Sequence, residues 1–262
     1  LFMVVGVGNI GSRVVRIAKS LGMKVLKNDP PLERENIGDN YVSFKEILHS
    51  DIISFHVPMT LEGIDKTYHL LNENNLKKIS AGTIIINSSR GAVIDNESLL
   101  SESRKKELEL ILDVWENEPS VNTELLSKTK IATSHIAGYS FEGKVNGTKM
   151  IYKALCKFLN KQLDWEPRMP QIQNRAKRLY DGKNDEEKLY KLFTEIYIIE
   201  RDDKMMREIL DCKANDQAAY FDLLRKKYPV RREFNNYTVQ ISEAEIHLKE
   251  FLENFRFKVE VV

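Results

Sequence analysis

Cysteine is scarce: only Cys156 and Cys212 occur, far apart and outside any C-x-x-C spacing. That argues against a disulfide framework or a zinc site and predicts a reducing, cytoplasmic setting. An excess of either charge is also missing. A formal net charge of +1 provides no global field toward nucleic acid or an anionic membrane, so any anionic ligand must be held locally. No apolar run approaches the roughly 18–20 residues that span a bilayer. The apolar start, Leu1 to Val7, breaks at glycines and carries no basic leader, so it is not read as a signal peptide. Internal repeats and low-complexity tracts are absent. Leu1 opens directly on a strand-like run without an initiator methionine or a preceding element, and an N-terminal segment is expected ahead of it.

What is present is a chain of 262 residues, 42% hydrophobic and 30% charged. Such a chain forms a soluble globular protein of one large or two medium domains. Its first part alternates short β-rich runs with helical patterns, the mark of a parallel sheet built from βαβ units. Strands are expected at Phe2–Val7, Lys24–Asn28, Ile52–Phe55, Thr83–Asn87, Leu108–Asp113 and Ile131–Thr133. Most are continuous apolar runs, as when helices cover both sheet faces. Helices are expected after the first strand, where Ile10, Val14, Ile17, Ala18 and Leu21 fall at helical spacing, and near Ser43–His49, Glu73–Ile79 and Asn96–Ser103. Ser43 and Glu46 have the spacing of a capping box.

A long helix is expected over Ser140–Leu159, followed by a polar linker, Lys161–Glu186, that carries Pro167 and Pro170. The rest reads as charged helices at Glu187–Ile198, Asp203–Leu210 and Asp216–Tyr228, then strand, helix and strand at Tyr237–Ile241, Glu243–Asn254 and Phe257–Val261. The expected division is a parallel-sheet α/β domain over 1–139, a long helix and crossing segment over 140–170, and a small α+β C-terminal domain over 171–262. The fold class is α/β, with a doubly wound parallel sheet.

Gly6, Gly8 and Gly11 form G-x-G-x-x-G between a strand and a helix. In that setting the three glycines serve the tight turn, close approach to a pyrophosphate and helix–strand packing, while amides near Asn9 and Ile10 face the phosphates. Asp29 ends the second strand at the position where a carboxylate accepts from the adenosine ribose hydroxyls and repels a 2′-phosphate. The cofactor implied is NAD. A plain strand–helix turn, with Asp29 as a turn residue before Pro30 and Pro31, is the bland alternative.

Arg90, Glu118 and His135 each follow a strand, where open α/β sheets place their ligands. An arginine grips a carboxylate in bidentate fashion. A histidine takes a hydroxyl proton as hydride leaves, and a glutamate beside it orients the ring and favours its protonated form. Singly, each is more often a solvated or structural side chain; together, on a sheet with a dinucleotide loop, they point to hydride transfer.

The stretches Val5–Gly11, Ile86–Asp95, Asp113–Pro119 and His135-Ile136-Ala137-Gly138-Tyr139 resemble the D-isomer-specific 2-hydroxyacid dehydrogenases. Asp29-Pro30-Pro31, Phe55-His56-Val57-Pro58, Leu112-Asp113-Val114-Trp115-Glu116, the run from Ser140 to Lys144 and Tyr228–Phe234 are similar to the branch of that family that serves vitamin B6 biosynthesis.

The resemblance implies Arg90, Glu118 and His135 as catalytic residues, with His135 the acid/base. It implies cofactor contacts at Gly6, Gly8, Asn9, Ile10, Gly11, Asp29, Ser88, Asp113 and Gly138, Asp113 lying near the nicotinamide amide, and a substrate contact at Tyr139. The substrate implied is 4-phospho-D-erythronate, oxidised to 3-hydroxy-2-oxo-4-phosphooxybutanoate, and a homodimer is implied through the C-terminal domain. No metal is expected. Arg231, Arg232 and Glu233, within the dimerisation motif, are also compatible with a solvated charge run. Trp115 and Trp165 read as structural.

Members of the family build much of their substrate lobe from about 100 residues ahead of the glycine loop, and the N-terminal part of that lobe is expected to be absent here. These 262 residues alone are therefore expected to bind NAD and turn over poorly. Two other readings stay open: a dehydrogenase for phosphoglycerate or glycerate, and a non-catalytic NAD(H)-sensing binding protein of the same fold.

Overall fold

A computed structural model of the chain describes residues 1–35 and 40–262. The first half runs β1 Phe2–Val5, α1 Gly11–Ser20, β2 Val25–Asn28, α2 Pro30–Glu35, β3 Ile52–Phe55, α3 Glu73–Leu76, β4 Ile84–Asn87, α4 Asn96–Ser103, β5 Glu109–Leu112, α5 Thr123–Lys128 and β6 Ile131–Ala132. The second half runs α6 Phe141–Phe158, β7 Ala176–Arg178, α7 Asp185–Ile196, α8 Ile199–Arg207, α9 Gln217–Lys226, β8 Thr238–Ile241, α10 Lys249–Asn254 and β9 Lys258–Val261. The chain divides into two compact units: Leu1–Ile136 with Ile199–Lys227, and Ala137–Ile198 with Tyr228–Val262.

In the first unit the strands form a six-stranded parallel sheet in the order β2-β1-β3-β4-β5-β6. A one-residue parallel bridge, Lys27 to Tyr41, extends it beyond β2. Strand order reverses between β1 and β3, the topological switch point outside which open α/β sheets bind ligands. The expected α/β Rossmann-type sheet is therefore present. Met3, Val5, Ile53, Phe55, Ile85, Leu110 and Leu112 bury their side chains in its core. Val15 and Ala18 of α1 pack with Phe2 and Val4 in a second cluster.

Two local expectations change. Phe44–His49 winds as a 3-10 turn. The Ser43 hydroxyl accepts from the Lys45 amide at 3.3 Å. No capping box with Glu46 forms, because the Glu46 amide is turned onto the Ser43 carbonyl at 3.0 Å.

The unit boundaries also depart from 1–139, 140–170 and 171–262, because α8 and α9 belong to the first unit. Met206, Ile209 and Phe221 lie in the core of the first unit. Asp203 accepts from the Ala132 amide of the outermost strand β6 at 2.7 Å, and Arg207 donates to the Thr129 carbonyl at 2.6 Å. These bonds and the packing above them cover a sheet edge that would otherwise expose unpaired amides.

The second unit has its own three-stranded parallel sheet, β7-β8-β9. Its core gathers Leu192, Val239, Ile241, Leu248, Phe251, Leu252 and Phe257. β7 lies inside the stretch read as linker. The charge run at its other end is not solvated as a whole: Arg232 is ion-paired with Glu142, both side chains being under 9% exposed. Glu142 also accepts from the Glu233 amide at 3.0 Å and the Asn236 side chain at 2.9 Å. Burial pushes the Glu142 carboxyl up, but Arg232 and the backbone amides of Glu142 and Glu233 hold it below the usual carboxylate value. Both cysteines are free, and among the described residues no helix is long and apolar enough to cross a membrane. Trp115 is buried, whereas Trp165 is exposed, its ring edge-on to Tyr152.

Candidate active site

The glycine loop leaves the C-terminal end of β1 beside the switch point. Gly6 has φ +85°, and a Cβ there would stand 2.7 Å from the His56 carbonyl, so no side chain fits. A Cβ on Gly11 would meet the Gly6 carbonyl at 1.8 Å, so α1 can start this close to the loop only on glycine. Gly8 differs, because among the described residues a Cβ there would meet nothing within 4 Å. Among the described residues, nothing accepts from the amides of Gly8, Asn9 and Ile10. Open space and donors at a helix start fit a pyrophosphate.

Asp29 receives the Val7 amide at 2.7 Å on one oxygen and the Leu32 amide at 3.1 Å on the other. It therefore ties the loop to β2 and caps α2, which starts with two prolines. The turn role is real. A carboxylate has about four acceptor sites, so ribose hydroxyls can still bind there. His56, in the loop after β3, is bonded to the Ser54 hydroxyl at 2.8 Å, and burial pushes its pKa down to about 4.

His135 and Glu118 come together. The ring Nδ1 lies 2.7 Å from Glu118 Oε1. A carboxylate facing Nδ1 requires the proton there, which leaves Nε2 of the neutral ring as an acceptor. Among the described residues, Nε2 has no partner. His135 holds φ +56°, a conformation that is uncommon outside glycine and that clusters at functional sites. Among the described residues the second oxygen of Glu118, Oε2, is buried without a hydrogen-bond partner.

Arg90 is exposed, and its guanidinium donates to the Ser89 carbonyl at 2.6 Å. Among the described residues no carboxylate pairs with it, so it is not a surface ion pair and can take an anionic ligand. Ser88 is half-buried at the end of β4.

Asp113 is buried at the end of β5. Its Oδ1 receives the Thr133 hydroxyl at 2.6 Å and the Ile136 amide at 2.7 Å, and its carbonyl receives the His135 amide at 2.7 Å. It thus holds the backbone on both sides of His135. Gly138 and Tyr139 belong to the second unit. There the Tyr139 ring stands edge-on to Tyr228 at 5.8 Å, and the Lys144 ammonium lies 3.8 Å from its centroid.

Sequence reasoning missed His69, Glu116 and Asn96, which join the segments carrying Arg90 and Glu118. In the sequence Glu116 stands out only as part of the Leu112–Glu116 motif. His69 offered one signal, a histidine at φ +49°, which only the backbone discloses.

Residues 2–137 match the model of the D-isomer specific 2-hydroxyacid dehydrogenase NAD binding domain. The chain belongs to the D-isomer-specific 2-hydroxyacid dehydrogenase family. Residues 169–253 match a domain of unknown function, DUF3410. Similar proteins include the erythronate-4-phosphate dehydrogenase of Proteus mirabilis strain HI4320, 40% identical over 242 residues, or 90% of this chain and 62% of that protein. The Aeromonas salmonicida strain A449 protein of the same name is 42% identical over 241 residues, 89% of this chain and 62% of that protein. The chain therefore spans about 62% of the length of these relatives.

Among solved structures, a glyoxylate reductase from Paecilomyes thermophila aligns with TM-score 0.53 at 30% identity, covering 61% of this chain and 49% of that one. The Aquifex aeolicus D-lactate dehydrogenase complexed with NAD and lactic acid aligns with TM-score 0.51 at 30% identity, covering 61% and 53%.

Proposed function

We propose that this chain is the NAD-binding and dimerising part of an enzyme that oxidises 4-phospho-D-erythronate to 3-hydroxy-2-oxo-4-phosphooxybutanoate. The observation that carries the reading is the His135–Glu118 contact of 2.7 Å, with the other ring nitrogen unpartnered among the described residues. That is the arrangement a proton acceptor for a hydroxyl needs.

NAD, when bound, supplies the hydride acceptor. Gly6, Gly8 and Gly11 admit its pyrophosphate against the amides at the start of α1, and Asp29 receives its ribose hydroxyls. Ser88, Asp113 and Gly138 complete the cofactor contacts. Arg90 grips the substrate carboxylate and polarises the carbonyl that forms. As the C–H electron pair departs, His135 Nε2 takes the hydroxyl proton. Glu118 stabilises the resulting imidazolium, and in the reverse direction the ring returns the proton. Tyr139 contacts the substrate, and the second unit pairs two copies. A setting in the cytoplasm suits the free cysteines.

The substrate is supported by relatives of about 40% identity. Comparing kcat/KM of the complete gene product for 4-phospho-D-erythronate and D-3-phosphoglycerate tests it. A preference of at least about a hundredfold for the four-carbon acid, or about 2.7 kcal/mol, is expected. Equal rates, or preference for the three-carbon acid, would replace the substrate. NAD binding without turnover of either would favour a sensing role.

A further inference from the structure

Three loops on the same side of the first unit meet at His69. Its backbone amide donates to the Ala92 carbonyl at 2.8 Å. Next to it the Leu71 amide bonds to Val93 at 3.1 Å, and the Asp95 amide to Leu71 at 3.0 Å. Residues 69–71 are thus laced to the segment that follows Arg90. The His69 ring stacks on Tyr68 with centroids 3.9 Å apart. Its Nε2 lies 2.6 Å from Glu116 Oε1, and its Nδ1 faces Asp95 Oδ2 at 3.9 Å.

Glu116 stands two residues before Glu118 in the loop after β5. Its Oε2 receives the Asn96 amide at 3.0 Å, and its own amide donates to Asn96 Oδ1 at 3.3 Å. Gly91 is flush with the same loop: a Cβ there would stand 2.1 Å from the Trp115 carbonyl. The Trp115 indole in turn donates to the Thr133 carbonyl at 3.0 Å, two residues before His135. Glu116 therefore couples the loop of Arg90 to that of Glu118, and His69 grips the coupling from a third loop.

We infer that His69 is a positioning residue of the candidate active site, acting through Glu116 to fix Glu118 against His135 and to fix the Arg90 segment beside them. This rests on the reading of Arg90, Glu118 and His135 proposed above. His69, Asp95 and Glu116 also bring ligand atoms within 4.8 Å of one another. Both ring nitrogens already face a carboxylate, however, and the carboxylates are engaged by Ser98 and Asn96. The cluster is thus satisfied without an ion. A ring held on both edges is restrained in one orientation, so it passes position from one loop to the next.

The test uses long-range 1H–15N spectra of the histidine rings in this chain, at a pH where His135 is neutral, because tautomer state reports the Glu118 contact without requiring turnover. Wild type should hold His135 as the Nδ1–H tautomer, and Glu118→Gln should shift it toward Nε2–H. His69→Phe keeps the ring stack on Tyr68 and removes both nitrogens. It should give the same shift in a chain that still unfolds cooperatively, with His69→Gln restoring part of it. If His69→Phe does not fold, Glu116→Gln, which keeps the shape of the side chain, takes its place. In the complete gene product His69→Phe should lower kcat by about tenfold or more with KM within about twofold. A folded variant whose His135 tautomer is that of wild type overturns the positioning role. A complete product without dehydrogenase activity overturns the functional reading and leaves the tautomer result standing.

Discussion

His135 Nδ1 and Glu118 Oε1 lie 2.7 Å apart, although 17 residues separate them in sequence. Each stands in a loop at the C-terminal edge of the parallel sheet. Asp113, through Thr133 and Ile136, sets the backbone that brings them together. This order of support, from strand to buried carboxylate to paired side chains, makes several outcomes definite.

Gly8 and Gly11 should separate cofactor binding from folding. Gly8→Ala puts its methyl where no atom of the described residues lies within 4 Å, so thermal unfolding should stay within a few degrees of wild type. NAD affinity, read by calorimetry, should fall at least about tenfold because the methyl blocks close approach of the phosphates. Gly11→Ala instead meets a carbonyl at 1.8 Å and should cost about 1–3 kcal/mol of stability.

Asp29 should set cofactor choice. The wild-type chain is expected to bind NAD at least about tenfold more tightly than NADP, and Asp29→Ser should narrow that gap. Because Asp29 also receives the Val7 and Leu32 amides, a modest fall in stability should accompany the change. An unchanged ratio would leave Asp29 with its turn role only.

His56 gives a pH dependence of definite sign. Its folded pKa is lowered from 6.5 to about 4 by burial. Between those values the unfolded chain binds a proton that the folded chain does not. Stability should therefore be full above about pH 6.5 and fall as pH drops toward 4, by up to roughly 3 kcal/mol at the low end. Urea titrations at pH 7 and pH 5 should show this loss, and His56→Asn should reduce it.

The buried Glu142–Arg232 pair should hold the second unit together. Glu142→Gln leaves the guanidinium without its counter-charge and should cost about 3 kcal/mol, with Arg232→Met, which strands the carboxylate, costing a similar amount. The Glu142 carboxyl is held below its ordinary value. The stability it provides is therefore present above the unfolded value and lost as pH falls through the folded one. Removing both partners together should cost less than the two single changes added.

Much of this was legible because the physics is local or periodic. Strands such as Ile84–Asn87 are apolar throughout, and Gly6, Gly8 and Gly11 stand at a strand–helix boundary where few other reasons for three glycines exist. Ala176-Lys177-Arg178 has no apolar signal, so β7 could not be seen within a polar stretch. A single bridging residue, Tyr41, is likewise below any periodicity. The apolar faces of α8 and α9 announce burial but not which core receives them, hence the misplaced boundary. The tie between Asp113 and Thr133 spans 20 residues, and the meeting of His69 with Glu116 spans 47. Contacts of that kind arise from topology, which pairs loops only after the sheet has ordered its strands.

The most direct test is the His135→Ala variant of the complete gene product, measured for both NAD affinity and turnover of 4-phospho-D-erythronate. Turnover should fall by about a hundredfold to ten-thousandfold, while the Kd for NAD stays within about threefold. An undiminished rate would contradict the assignment of His135 as the group that carries the proton.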